Sequence, residues 1–216
     1  MILWLVLFFL IVTTSFVLAL FSMRDFQEIP RGRGEYGLFL IRKPSELKAD
    51  VLDLIHTNIL DEGLIISLER LFKGKKSTLV IFGPKKVLDS LKQLDLLELE
   101  DYAEVKEENL SVWEVRPSVK SFFKDLPMFH EEEEFWWQLV LQAKKDEKNM
   151  KFFQSQIRAV VYSTDPKKRL DLSLGIQNLN LGRLTNLDFY QQRSFVRNSN
   201  NLNLNALEVL QLSLLS

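Results

Sequence analysis

Residues 2–21, ILWLVLFFLIVTTSFVLALF, form an uncharged run of twenty residues, and no other feature of the chain constrains its folding as strongly. At about 1.5 Å per residue a helix of that length spans roughly 30 Å, the thickness of a bilayer's hydrocarbon core. The hydroxyls of Thr13, Thr14 and Ser15 fit such a helix, since each can bond a carbonyl one turn back. A cleaved signal peptide would need a basic start, a shorter apolar core and a small-residue cleavage site. Nothing basic follows Met1, and Phe16-Val-Leu-Ala-Leu-Phe21 is bulky where a peptidase needs small residues. The run therefore predicts a retained, single-pass anchor in contact with the lipid bilayer. Arg24, Arg31, Arg33, Arg42 and Lys43 all follow the run, so the positive-inside rule predicts a cytoplasmic body at the inner cell membrane.

All the charge lies outside that run: 28 basic against 29 acidic side chains, a net charge of -1. A near-neutral total supplies no global field for nucleic acid. The chain has no cysteine and two histidines, which removes thiol nucleophiles and most routes to a zinc site.

Proline, glycines and mixed charge in residues 23–34 read as a juxtamembrane linker after an anchor over 1–22. The folded body then begins. Tyr36 to Lys43 reads as a strand ended by Pro44, and Ser45 as the cap of a helix over Glu46 to Leu60. That helix ends at Gly63. Leu64 to Phe72 and Ser77 to Phe82 read as a hairpin turning at Lys73-Gly-Lys-Lys76. Lys85 to Leu97 reads as a second helix, and Leu110 to Val115 as a closing strand. The order strand, helix, strand, strand, helix, strand predicts a ferredoxin-like α+β domain over 35–117. An acidic connector covers 118–134. The remainder, 135–216, reads as a second, smaller α+β unit with two long strands and a helix starting at Asp165-Pro166. It closes on an amphipathic helix near the end of the chain, and is either a degenerate duplicate of the first unit or unrelated to it.

The sequence holds no recognisable reaction centre. Gly74-Lys-Lys-Ser-Thr78 lacks the earlier glycine of a P-loop, carries lysine where Ser or Thr is needed, and leads into a strand. His130-Glu-Glu-Glu-Glu134 lacks the second histidine of a zinc helix. There is no Gly-x-Ser-x-Gly elbow. The expectation is a non-enzymatic chain with no catalytic, metal or cofactor-binding residues. Trp113, Trp136, Trp137, Phe152 and Phe153 read as core aromatics rather than base-stacking platforms. Partner contacts are assigned to the hairpin tip, Lys73, Lys75 and Lys76, and to the last helix through Leu207, Leu210 and Leu214. A nucleic-acid-binding alternative uses the same lysines with Lys85 and Lys86.

The order of parts resembles a known region. An apolar anchor and a basic linker precede a ferredoxin-like unit ending near Leu97-Glu-Leu-Glu-Asp-Tyr102, and Phe135-Trp-Trp-Gln-Leu-Val-Leu141 follows. Together with Ser194-Phe-Val-Arg197 and Leu202-Asn-Leu-Asn-Ala-Leu-Glu-Val-Leu210, these resemble the amino-terminal region that precedes the motor in membrane-anchored ATPases of type IV secretion and conjugation. The sequence departs from that family in having no P-loop and no motor. The resemblance carries over no catalytic residue. It implies a membrane-tethered accessory domain whose protein partner is an ATPase subunit or another copy of itself.

Overall fold

A computed structural model of the chain describes residues 4, 8–16, 35–74, 76–103, 107–115, 133–178, 183–184, 187–196 and 201–214. Nine strands form one antiparallel sheet: β1 (Tyr36–Ile41), β2 (Ile65–Lys73), β3 (Lys76–Pro84), β4 (Leu96–Leu99), β5 (Leu110–Val115), β6 (Glu134–Lys145), β7 (Lys151–Tyr162), β8 (Arg183–Leu184) and β9 (Leu202–Leu204). Their order across the sheet is β4-β1-β3-β2-β6-β7-β5-β8, with β9 on β7 beside β5. The helices are α1 (Ala49–Leu60), the single turn α2 (Lys85–Leu88), α3 (Pro166–Asn178), α4 (Leu187–Gln192) and α5 (Ala206–Leu214).

Strand alternation sends two sets of side chains to opposite faces. The first face is apolar. Ile66, Leu68, Ile81, Trp137, Leu139, Ile157 and Ala159 pack there beneath α1 and α5. Val51, Leu52, Ile55 and Ile59 repeat at three- to four-residue spacing on α1 and are all buried. Its end is a Schellman motif: Gly63 adopts a φ of 63°, Gly63 N–H bonds Leu60 O at 3.3 Å, and Leu64 N–H bonds Ile59 O at 3.0 Å. An Asn205–Glu208 capping box opens α5, with Glu208 N–H donating to Asn205 Oδ1 at 3.0 Å and Asn205 N–H to Glu208 Oε2 at 2.8 Å. The Trp137 indole N–H donates to Leu212 O at 3.1 Å and fastens α5 to the sheet.

Several sequence expectations need correction. Among the described residues no helix is long and apolar enough to cross a membrane. Residues 8–16 are helical, but the rest of the 1–22 anchor, apart from Trp4, lies outside the described residues, as does the 23–34 linker. A ferredoxin-like unit beside a second, smaller α+β unit is replaced by one larger α+β sheet. The reason is the nine-position ladder between β2 and β6, from Ile65 opposite Gln142 to Lys73 opposite Glu134, which makes the sheet continuous. Leu110–Val115 does not close the first four strands. It pairs with β7 and β8 instead, and the edge beside β1 is taken by Leu96–Leu99.

That edge strand comes out of the predicted 85–97 helix. The helix stops after one turn, Asp95 takes a φ of 51°, and the chain returns to pair with β1. Tertiary pairing overrides helix propensity at this point. Ser45 lies in a short 3-10 turn and caps nothing; Lys48 occupies the N-cap of α1 without a side-chain bond. His56 on α1 is buried. Its Nε2–H reaches Lys144 O at 2.9 Å and Phe152 O at 3.1 Å, joining α1 to the β6–β7 hairpin.

Candidate functional site

The second face of the sheet carries the main concentration of buried polar chemistry. Glu69 on β2 lies opposite Gln138 on β6, Gln138 opposite Arg158 on β7, and Arg158 opposite Glu114 on β5. One polar rung therefore crosses four neighbouring strands, each contributing one residue to it. All four are buried. Burying such groups is unfavourable unless each finds partners. The partners come from segments laid across this face: Asp101–Ala103, α4, and residues 193–196.

Glu69 is saturated. Its Oε1 accepts from Ser67 Oγ at 2.5 Å, Arg193 Nε at 2.8 Å and Gln138 Nε2 at 3.1 Å. Its Oε2 accepts from the Tyr102 hydroxyl and from Arg193 Nη2 at 3.4 Å. Arg193 also grips Asp101, with Nη1 to Oδ2 at 2.6 Å and Nη2 to Oδ1 at 3.0 Å, and its guanidinium lies 4.6 Å from the centre of the Phe82 ring. Arg193 follows α4 with a φ of 53°, a left-handed conformation that glycine normally fills at a helix end. Its buried side chain pays for that backbone strain with two carboxylate partners.

The rest of the rung binds main chain. Gln138 Nε2 donates to Tyr190 O at 2.9 Å, and Arg158 donates to Phe189 O at 2.6 Å and to Ser194 O. Gln156 donates from Nε2 to Val196 O at 2.8 Å and accepts from Val196 N–H at 2.9 Å. Two adjacent strands, β6 and β7, thus hold the backbone of residues 189–196 through side chains. An aromatic group closes one side, where Trp136 meets Tyr102 edge-on at 5.0 Å and stacks on Tyr162 at 6.1 Å.

Electrostatics follow from this enclosure. Burial raises the Tyr102 and Tyr190 phenols well above their ordinary range, and the nearby Glu69 carboxylate adds to the effect. Burial lowers the Arg158 guanidinium against the pull of Glu114. Burial also works against the charge of Arg193, yet Glu69 and Asp101 hold its pKa above the usual arginine value. Every donor and acceptor of Glu69 and Arg193 is turned inward, so the cluster is built to hold a strap against a sheet.

A cleft of about 630 Å³ lies elsewhere, lined by Glu35, Asn58, Glu62, Lys85, Lys86 and Asp89 among others. Its size suits a small molecule. Lys85 bridges Glu35 at 2.7 Å and Glu98 at 2.8 Å, and these hydrogen bonds raise its pKa. A lysine held as ammonium is a poor base or nucleophile. Among the described residues no group of three or more His, Asp or Glu side chains could hold a metal ion.

Of the residues singled out in the sequence, Lys73 and Lys76 pair across the β2–β3 turn, and Leu207, Leu210 and Leu214 share α5. Lys73 is exposed and ion-paired to Glu134 at 2.7 Å, Lys75 lies outside the described residues, and Lys76 is exposed. Leu210 and Leu214 are partly buried against the apolar core, whereas Leu207 is 63% exposed. Trp113, Trp136, Trp137 and Phe153 are buried as core residues. Sequence reasoning missed the Glu69–Arg193 cluster. Its one signal is a glutamate inside the strand LIISLERLF. No protein-family model and no curated protein matches the chain.

Proposed function

We propose that this chain is a non-enzymatic interaction module that works against a lipid surface and docks a protein partner there. The observation that carries the reading is the exposure of the helical stretch 8–16. Phe8, Phe9, Leu10, Ile11, Val12 and Phe16 lie on all sides of that helix and are each 47–64% exposed. A helix that is apolar all round needs apolar surroundings. Thr13 and Thr14 leave no demand for water, since their hydroxyls donate to Phe9 O at 2.5 Å and Leu10 O at 2.8 Å. The proposal asks for lipid contact along this stretch and nothing more.

The buried rung supports the non-enzymatic part, because its charges are consumed in holding the strap. The resemblance to the region ahead of secretion and conjugation motors supplies the partner class: a P-loop ATPase or a second copy of this chain. Tethering at a surface raises the effective concentration of such a partner without any new contact. For the nucleic-acid alternative, Lys73 is the less available of the tip lysines, since its charge is met by Glu134.

Flotation of the full chain with phosphatidylcholine vesicles tests the reading. Wild type is expected in the lipid fraction, and Phe9→Glu with Val12→Glu in the soluble one. A wild-type chain that stays soluble overturns lipid contact. Crosslinking in native membranes is expected to capture an ATPase or a second copy, and capture of neither overturns the docking role.

A further inference from the structure

The strand register fixes which loops share an end of the sheet. Tyr36, where the chain enters β1, lies opposite Pro84; Ser67 lies opposite Phe82; Ile65 lies opposite Gln142; and the β6–β7 ladder closes with Lys145 opposite Lys151. The β6–β7 turn therefore projects from the end at which the body joins the segment leading back to residues 8–16. The Lys73–Lys76 turn projects from the opposite end, since Lys73 pairs with Glu134 at the start of β6.

The two tips differ in charge and in apolar content. Residues 144–151, KKDEKNMK, hold four lysines against two acids. Asp146 spends its carboxylate inside the turn, with Oδ1 accepting from Met150 N–H at 2.7 Å and Lys148 N–H at 2.9 Å. Asn149 takes a φ of 60°, and Asp146 N–H bonds Met150 O at 3.1 Å, so the tip is an organised turn. Glu147 is exposed beside it. From the adjacent α1, Thr57 accepts a hydrogen bond from Lys151 Nζ at 2.9 Å. No ion pair among the described residues holds Lys144, Lys145, Lys148 or Lys151. Met150, in the same turn, is 63% exposed.

An exposed, flexible apolar side chain on a turn that also carries four lysines matches the boundary layer of an anionic membrane, where lysines meet headgroups and the thioether enters the acyl edge. We infer that the β6–β7 tip is a docking surface for an anionic lipid bilayer, seating the body with this end against the membrane. The inference rests on the lipid contact proposed for residues 8–16. It adds the orientation of the body and the lipid charge it reads. The partner-binding surface then lies away from this end.

The absence of native cysteine makes the test clean. Met150→Cys in the full chain carries an environment-sensitive fluorophore, and Lys76→Cys carries the same probe at the opposite end. Vesicles are phosphatidylcholine alone or with about one-third phosphatidylglycerol. The expected result is a blue shift at position 150 on the anionic vesicles only, reversed in high salt, with no shift at position 76. Lys145→Glu with Lys148→Glu is expected to abolish the shift while the chain still floats. A chain that floats with position 150 still in water overturns the inference and leaves the lipid contact of residues 8–16 standing. A shift of equal size on neutral vesicles overturns the electrostatic reading. Loss of flotation on both vesicles removes both readings together.

Discussion

The two faces of the sheet are both buried, yet they are held by different physics. On the first, α1 and α5 cover Leu68, Trp137, Leu139 and Ile157, and the contact is dispersion and apolar burial with two polar ties, His56 and the Trp137 indole. On the second, α4 and the segment after it are held by Gln138, Gln156 and Arg158, and Arg193 reaches back to Glu69. Apolar burial tolerates adjustment, because a helix can shift by a fraction of a turn and still cover its face. The polar rung tolerates little, since each donor has one geometry. The sheet thus pairs an adaptable face with a position-specific one, and substitution should separate them.

The largest effect is expected at Arg193. Arg193→Ala leaves Glu69 buried without its cation and should destabilise the fold by about 3–5 kcal/mol in denaturant titration. The companion variant sharpens the comparison. Changing Glu69 and Arg193 together to Met replaces both charges with apolar bulk, and Asp101, which reaches the surface, can hydrate. That double variant should recover most of the loss, because a buried ion pair contributes little net stability over a well-packed apolar pair. A double variant as unstable as Arg193→Ala would show that the position-specific hydrogen bonds, rather than charge balance, hold the strap.

How much of this was legible in the sequence differs by face. The first face is written locally: Val51, Leu52, Ile55 and Ile59 on α1, and the alternation in FWWQLVLQA, read directly as one buried stripe and one strand. Asp165-Pro166 likewise marks the start of α3, where Asp165 Oδ1 accepts from Lys167 N–H at 2.9 Å. The second face is written in register. Glu69, Gln138, Arg158 and Glu114 are each separated in sequence from the others. Only long-range pairing places them side by side, and no local spacing encodes that. Arg193 has still less signal, because its role depends on the left-handed backbone after α4. The edge strand Leu96–Leu99 was hidden for a related reason: its leucines continue the helical spacing of Leu88, Leu91 and Leu94, and only the free edge of β1 selects a strand. The lysines of the Lys73–Lys76 tip were legible as charges, but Glu134, which neutralises Lys73, arrives from sixty-one residues away.

On the apolar face the expected effect is smaller and cannot be rescued by a charge change. Leu212→Ala removes a fully buried side chain of α5 that packs near Trp137. Leucine-to-alanine changes in cores cost about 2–5 kcal/mol, and α5 sits at the low end, about 2–3, because a short helix can settle into part of the gap. Leu207→Ala on the same helix removes an exposed side chain and should change stability by less than about 0.5 kcal/mol. Equal losses at 207 and 212 would mean that α5 is covered on both sides, and would move Leu207 into an interface.

A further comparison separates the faces by pH. Tyr102 and Tyr190 have phenol pKa values raised by burial first and then by Glu69. A raised pKa means that the folded state holds its proton more tightly than the unfolded chain does. The stability linked to these protons is therefore complete below the ordinary phenol value of about 10 and is lost as pH rises above it. Arg158, lowered by burial, acts with the opposite sign in alkali; burial and Glu114 act on it in wild type and variant alike, and only the smaller part due to Tyr190 differs between them. Tyr190→Phe deletes one of the two titrating phenols and the 2.8 Å bond between the hydroxyls of Tyr102 and Tyr190, leaving the Tyr102 bond to Glu69 in place. At pH 7 the variant should be about 1 kcal/mol less stable, the usual cost of a hydrogen bond. As pH rises past about 10, wild type should lose stability faster than the variant, so the gap between their denaturation midpoints should narrow. A gap that stays constant from pH 8 to 11 would mean that Tyr190 is not held neutral by the fold, and that the second face is open enough for water to reach the phenol.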